Sequence, residues 1–244
     1  MPHLLGDVTA VLMAKDPRPG GAKTRLTAGG WTAGQASEVA EVMLRCIAHR
    51  LREAARGLVL AVTPDGAGRA LAERLGLDAI DVIDQGSGDL GRRLDRVWQV
   101  VGTEGPIAFF GGDSPDVPAS LLSAIPTTLA GCDVAIGPTG DGGYWTLAAN
   151  THNPAVFEGI DWGTAHVYDQ TRRQATVAGL VIRALPPWHD VDRPADLDAL
   201  RVRLRELLNG PPGLPKNAEP LRWMAAQLDK LRPVKTPRRT HAHD

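Results

Sequence analysis

Short apolar runs that each end in a Gly, Pro or Asp turn alternate, from Val8 to Leu208, with longer stretches whose apolar positions recur every three to four residues. The first pattern predicts strands buried on both faces, and the second predicts helices that cover them. Strands are expected at Val8 to Ala14, Leu58 to Thr63, Ile80 to Asp84, Ile107 to Phe110, Val134 to Ile136, Tyr144 to Ala148 and Leu180 to Ala184. A long helix from Ser37 carries Val39, Val42, Met43, Cys46, Ile47 and Leu51 on one face. Further helices are expected at Arg69 to Leu75, around Leu90, Leu94, Val97 and Val101, at Leu121 to Leu129, at Thr164 to Val177 and at Pro194 to Leu208. This alternation implies an α/β fold, a three-layer α/β/α sandwich around a mostly parallel sheet.

The pattern changes after Asn209. Gly210-Pro211-Pro212-Gly213-Leu214-Pro215 has linker composition, one short amphipathic helix follows near Leu221 to Leu231, and the end from Pro233 to Asp244 carries Lys235, Arg238 and Arg239 without apolar periodicity. The expected organisation is a single domain over residues 1–209, followed at 210–244 by a linker, a short helix and a basic flexible tail.

Composition narrows the function. At 43% hydrophobic and 23% charged, the 244 residues are those of a folded globular chain. Lys and Arg number 27 against 28 Asp and Glu, a formal net charge of −1. That balance excludes a nucleic-acid binder, which needs many cations for phosphate contacts. Cys46 and Cys132 belong to no zinc-spaced cluster, and neither a disulfide framework nor a zinc site is expected. The N-terminal segment has no basic region of the signal-peptide kind, and no apolar run approaches the roughly 18 residues of a membrane span, so a cytoplasmic protein is expected. The 27 glycines and 19 prolines are nearly a fifth of the chain, against about 12% in average usage.

Most of those turn residues fall just after predicted strands, where open parallel sheets bind ligands. Pro19-Gly20-Gly21-Ala22-Lys23-Thr24-Arg25 follows the first strand and offers free backbone N–H groups and two cations, which suits a di- or triphosphate. It is not a Walker A loop, since Pro17 and Ala22 stand where that motif needs glycines. Gly86-Ser87-Gly88-Asp89-Leu90-Gly91 has the formal G-x-G-x-x-G spacing of a dinucleotide fingerprint, with a helix-opening turn as the other reading. Asp113 with Asp116 after the fourth strand, and Asp190 and Asp192 beside His189 before the Pro194 helix, are carboxylates that together could hold one Mg²⁺ beside phosphate oxygens. Asp192 is also placed to cap that helix. Gly137-Pro138-Thr139-Gly140-Asp141-Gly142-Gly143-Tyr144 is either a hairpin turn or a backbone surface for a ligand.

Five motifs, in order, resemble one family: Lys15-x-Pro17-x-Pro19-Gly20-x-x-Lys23-Thr24-Arg25-Leu26; Gly112-Asp113-x-Pro115; Gly137-Pro138-x-x-Asp141-Gly142-Gly143-Tyr144; Phe157-x-x-Ile160-x-Trp162-Gly163-Thr164; and Asp190-Val191-Asp192-x-Pro194-x-Asp196-Leu197. They are similar to the bacterial glycosyltransferase-A-like transferases also known as radical-SAM/selenodomain-associated transferases. That family lies within the nucleotide-diphospho-sugar transferase superfamily and is similar to the 2-phospho-lactate guanylyltransferases. The resemblance implies a nucleotide bound by Lys15, Gly20, Gly21, Lys23, Arg25, Gln85 and Gly88. It implies a metal, Mg²⁺ or Mn²⁺, shared by Asp113 and Asp192, and an acceptor facing Asp141, Gly142, Gly143 and Tyr144. Lys23, Arg25 and Asp113 would be the catalytic groups. Two departures stand out: Thr27 to Gln35 holds no lysine where sugar-phosphate nucleotidyltransferases carry a Pro-Lys pair, and Pro115 interrupts an Asp-x-Asp motif at Asp113.

The expected activity is therefore a Mg²⁺-dependent transfer from a nucleotide donor. Nucleotidyl transfer from a nucleoside triphosphate to a small phosphorylated acceptor comes first and glycosyl transfer from a nucleotide sugar second. An NAD-binding oxidoreductase and a non-catalytic nucleotide binder are the more distant readings.

Overall fold

The computed structural model describes residues 3–102, 105–209 and 218–234. The linker residues 210–217 and the basic tail at 235–244 lie outside them. The strands are β1 (Thr9–Lys15), β2 (Leu58–Thr63), β3 (Asp81–Asp84), β4 (Ile107–Gly111), β5 (Val134–Pro138), β6 (Tyr144–Ala149) and β7 (Ile182–Ala184). The helices are α1 (Ala33–Ala54), α2 (Gly68–Leu75), α3 (Leu90–Val101), α4 (Ala119–Leu129), α5 (Val167–Val177), α6 (Pro194–Asn209) and α7 (Glu219–Lys230). The expected strand and helix order is observed, with two short 3₁₀ turns added at Thr24–Gly29 and Pro154–Phe157.

The seven strands form one sheet in the order β3-β2-β1-β4-β6-β5-β7. All pairings are parallel except that β6 runs antiparallel to both β4 and β5. Side-chain alternation separates two cores. Ala10, Leu12 and Ala14 of β1 face α1, α2 and α4, while Val11 faces α3, α5 and the Pro154–Phe157 turn. This is the three-layer sandwich the alternation calls for.

Helix α1 is buried on two sides. Leu44, Ile47 and Leu51 pack on the sheet, and Val39, Met43 and Cys46 pack outward on Leu197 and Leu204 of α6 and on Leu221, Met224 and Leu228 of α7. The helix that follows the linker is thus fastened to the same core. Thr32 and Gln35 close a reciprocal capping box at the start of α1, which fixes where the helix begins after the Thr24–Gly29 turn. Among the described residues, no helix is long and apolar enough to cross a membrane.

The chain steps outward from β1 through β2 to β3 and then returns to place β4 on the other side of β1. The sheet therefore has its switch point between β1 and β4, where the loops leaving two neighbouring strands diverge and open a crevice.

Candidate active site

The crevice is a cleft of about 310 Å³ between the ends of β1 and β4, and its lining includes Lys15, Lys23, Leu90, Gly112, Asp113 and Asp192. Three larger clefts, of about 510, 540 and 450 Å³, lie beside α3, beside α6 and along the β3 edge of the sheet, away from this convergence of charge. Three separate segments reach the switch-point cleft. The loop after β1 brings Lys23, the end of β4 brings Asp113, and the segment after β7 brings Asp190 to Asp192. That last segment is strapped back across the sheet edge by hydrogen bonds from Trp188 N–H to the Pro138 carbonyl at 3.0 Å and from Val191 N–H to the Asp113 carbonyl at 2.9 Å.

Lys23 is the hub. Its ammonium donates to Asp113 Oδ1 at 2.5 Å and to Asp192 Oδ1 at 3.0 Å, and also to the Val191 carbonyl. Its side chain is 6% exposed although Asp113 is 57% exposed. Burial pulls the Lys23 pKa down, but the charges and hydrogen bonds of Asp113 and Asp192 more than reverse this and hold it above its ordinary value. Arg25 takes the second oxygen of Asp192 at 3.2 Å and stays exposed. Gly20, at φ +77, lets the loop turn back toward Lys23, and Gly21 N–H closes the turn on the Arg18 carbonyl.

A second acidic group adjoins the first. Carboxylate oxygens of Asp141, Asp190 and Asp192 lie within 4.8 Å of one another. Burial, with the charge of Asp141 added, pushes the Asp190 carboxyl above its ordinary value. Asp141 itself shapes its loop, accepting from the Thr139 hydroxyl at 2.6 Å and from Gly143 N–H at 3.0 Å. Gly142, at φ +88, lies so close to the Ala165 carbonyl that a Cβ would stand 2.1 Å from its oxygen. An all-oxygen set of this kind suits a hard divalent cation; Asp113 stands outside this trio and meets Asp192 through the shared Lys23 ammonium.

Other residues marked by the sequence are turned elsewhere. The Gln85 amide is buried and donates to the Ala14 and Ala61 carbonyls at 3.0 and 2.8 Å, tying β3 to β1 and β2. In the Gly86 to Gly91 segment, Asp89 caps α3 by accepting from Arg92 N–H at 2.9 Å, and Arg96 donates to the carbonyls of Gln85 and Ser87. This segment is a helix-opening turn, with Arg92 against Gly88 and the Phe157 carbonyl against Gly91. It follows the third strand, and the sheet holds an antiparallel strand, both unlike a dinucleotide fold. The Tyr144 hydroxyl is buried next to Thr171, and its ring meets Trp162 edge-on at 6.4 Å, so it anchors the loop from below.

Two acidic residues correct the sequence reading. Asp116 does not face the cleft; it is buried, accepting from Arg203 Nε at 2.7 Å and Trp188 Nε1 at 3.2 Å. Asp192 does not cap α6. Asp196 reaches back instead and accepts from the N–H groups of Asp192 and Arg193, freeing the Asp192 carboxylate for Lys23 and Arg25. Sequence reasoning gave no role to Arg50 or Asp16. Arg50 is buried and donates to the carbonyls of Pro115 and Val117, so it holds the β4–α4 loop; an Arg in the middle of an otherwise apolar helix face was the available signal.

Asp16 anchors the base of the Lys23 loop through Arg18 at 2.8 Å and Arg74 at 2.5 Å. Burial alone would raise its carboxyl, but these two partners hold it below the ordinary 3.8. Its stabilising effect is complete above the unfolded-state value and is lost as pH falls through the lower folded-state value. Asp16→Asn is expected to cost about 1–3 kcal/mol at neutral pH in urea unfolding. The gap from the wild type should close as the medium is acidified below roughly pH 4, whereas a gap constant with pH would contradict the ion-pair account.

This sheet order, with one antiparallel strand beyond the switch point and a cation-and-carboxylate cleft at that point, is an α/β fold shared with solved nucleotidyl- and nucleotide-sugar-transferase structures. Residues 46–164 match the family described as "Uncharacterized protein conserved in bacteria (DUF2064)". A candidate nucleotide-diphospho-sugar transferase from Desulfovibrio desulfuricans G20 is similar in structure with a TM-score of 0.75 at 28% identity, over 92% of this chain and 97% of that one. Two more distant structures share the fold. They are the inositol-1-phosphate CTP transferase of T. maritima, with TM-score 0.51, 14% identity and coverage of 92% and 97%, and a nucleotidyl transferase from Methanothermobacter thermautotroptrophicus, with TM-score 0.54, 16% identity and coverage of 84% and 100%. No curated protein matches the chain.

Proposed function

We propose that the protein is a nucleotide-dependent transferase and that it catalyses nucleotidyl transfer from a nucleoside triphosphate to a small phosphorylated acceptor. The observation that carries this reading is the meeting of Lys23, Arg25, Asp113 and Asp192 at the switch-point cleft. In that reaction an acceptor oxygen forms a bond to the α-phosphorus, the bond from that phosphorus to the β-bridging oxygen breaks, and pyrophosphate leaves with the electron pair. The charge that builds on the departing oxygens needs cations, and the loop carries two: the exposed Arg25, and Lys23 once phosphate draws it from its carboxylates. The likeness to the candidate nucleotide-diphospho-sugar transferase and to a CTP transferase supports a nucleotide donor.

Asp113 and Asp192, with Asp190 and Asp141 adjacent, are the residues that would hold Mg²⁺ or Mn²⁺, which when bound supplies positive charge to the phosphates. Asp141, Gly142 and Gly143 form the rim on the acceptor side, held in shape by the Thr139 hydroxyl and the Ala165 carbonyl.

Glycosyl transfer from a nucleotide sugar is the second reading. It is favoured by the acidic acceptor side, where Asp141 and Asp190 offer acceptors for sugar hydroxyls. Product analysis separates the two. With metal and a panel of triphosphates plus phosphorylated acceptors, pyrophosphate release is expected, and release of a nucleoside diphosphate from nucleotide sugars would replace the first reading with the second.

A further inference from the structure

We infer that Lys23 and a divalent cation are alternative occupants of the Asp113/Asp192 carboxylate pair, and that phosphates drawing Lys23 away open this pair to the metal. The second half of this inference rests on the nucleotide reading above; the first half stands on geometry alone. All three N–H donors of the Lys23 ammonium are spent within the protein, on Asp113 Oδ1, Asp192 Oδ1 and the Val191 carbonyl. None is left to meet a phosphate. A metal bound by the same two carboxylate oxygens would have to lie about 2.0–2.1 Å from each. Those oxygens stand 2.5 and 3.0 Å from the Lys23 Nζ, so a metal held on the side they turn to Lys23 overlaps the ammonium. Two cations cannot share that point.

The loop around Lys23 supports an exchange. Lys23 is one of two non-glycine residues in the left-handed region among those described, at φ +48. It stands directly before the Thr24–Gly29 turn without a side-chain cap of its own. The conformation costs about 1–3 kcal/mol in general and is kept only where surrounding contacts enforce it; here they are the ammonium's contacts and the bond from the buried Leu26 N–H to the Lys23 carbonyl at 2.9 Å. On its outer side the loop has Gly20, with open space around it. A Lys23 that leaves without replacement strands Asp113 without its cation and leaves Asp192, already clustered with Asp141 and Asp190, with Arg25 alone. Departure of the ammonium and arrival of the metal are therefore linked, and phosphate and metal strengthen each other's binding by equal factors. The metal-poor, nucleotide-free site is held shut by its own lysine.

The test is Mn²⁺ binding to the full-length protein without nucleotide, followed by calorimetry and by the resonance of free Mn²⁺. Lys23→Met and Lys23→Gln should each bind Mn²⁺ about 5–150-fold more tightly than the wild type, the usual range of such couplings. Arg25→Met removes one positive charge from the same Asp192 without vacating the shared point, and should gain far less. Unchanged or weaker binding in both Lys23 variants, with circular dichroism showing them folded, would overturn the exchange. So would an equal gain in Arg25→Met, which reduces the effect to net charge. A separate titration with inorganic tripolyphosphate in saturating Mn²⁺ should show binding to the wild type and at least about tenfold weaker binding to Lys23→Met, a loss the size expected for a charge-assisted contact. Absence of any tripolyphosphate or nucleotide binding by the wild type would remove the nucleotide reading and leave the Mn²⁺ comparison to decide the exclusion.

Discussion

Asp113→Ala is expected to lower transfer activity by about 10³-fold, the scale seen when one electrostatic contributor to a charged transition state is removed. Its stability should fall far less than its activity. The Asp113 side chain is 57% exposed, but it is a counter-charge of Lys23, whose side chain is 6% exposed. Asp192 and the Val191 carbonyl remain to hold the ammonium, so a cost of about 1–3 kcal/mol is expected. The Asp113 backbone carbonyl, which receives Val191 N–H, is untouched by the substitution. The loss should appear as a fall in turnover at temperatures where the variant is fully folded, and higher Mn²⁺ should recover little of it, because Asp192 alone cannot complete the oxygen pair. Activity within threefold of the wild type would show that Asp113 is no more than a solvated partner of Lys23.

Asp116→Ala, three residues further along, is expected to do the opposite. This carboxylate is 4% exposed and takes Arg203 Nε at 2.7 Å and the Trp188 indole N–H at 3.2 Å. Removing it leaves the Arg203 guanidinium, whose Nη2 already has no partner, without its counter-charge. Breaking a buried pair in this way costs about 3–5 kcal/mol, which for a chain of this size corresponds to a fall in melting temperature of roughly 6–20 °C. Trp188 also pins the segment carrying Asp190 to Asp192, through its own backbone bond to Pro138, so activity should fall as a consequence of loosening. Thermal unfolding followed by circular dichroism measures the main effect, and an unchanged midpoint would mean that Asp116 is not a keystone of the edge.

The contrast between these two aspartates marks where the sequence is readable. Period and punctuation reveal which segments are strands and which are helices, because burial on two faces demands continuous apolar runs and burial on one demands a helical stripe. Val8 to Ala14 and Leu58 to Thr63 are legible for that reason. Strand direction is not written in such runs, so the antiparallel β6 could not be told from its parallel neighbours. The two 3₁₀ turns are too short to carry a period.

At the site, the sequence marks which loops meet, since turn residues cluster at strand ends, and it marks Lys23, Arg25, Asp113 and Asp192 within them. It does not say which way a side chain points. Asp116 and Asp113 look alike in the chain and diverge because Arg203, 87 residues further on, claims one of them. Gln85 falls among the expected nucleotide contacts and is spent on two strand carbonyls. Asp196, and not Asp192, satisfies the start of α6 because a carboxylate in the first turn can reach back to the free N–H groups there.

The central claim is that the switch-point cleft binds a nucleotide through the Lys23 loop. The most direct measurement is a thermal-shift titration of the wild type and Arg25→Ala with nucleoside triphosphates and nucleotide sugars in the presence of Mg²⁺. A ligand held at 100 times its Kd should stabilise the folded state by about 2.7 kcal/mol. The account predicts a saturable upward shift for at least one nucleotide with the wild type, and a titration displaced to at least about tenfold higher ligand in the variant, as for a lost charge-assisted phosphate contact. Identical titration curves for the two proteins, or no shift with any nucleotide, would contradict it.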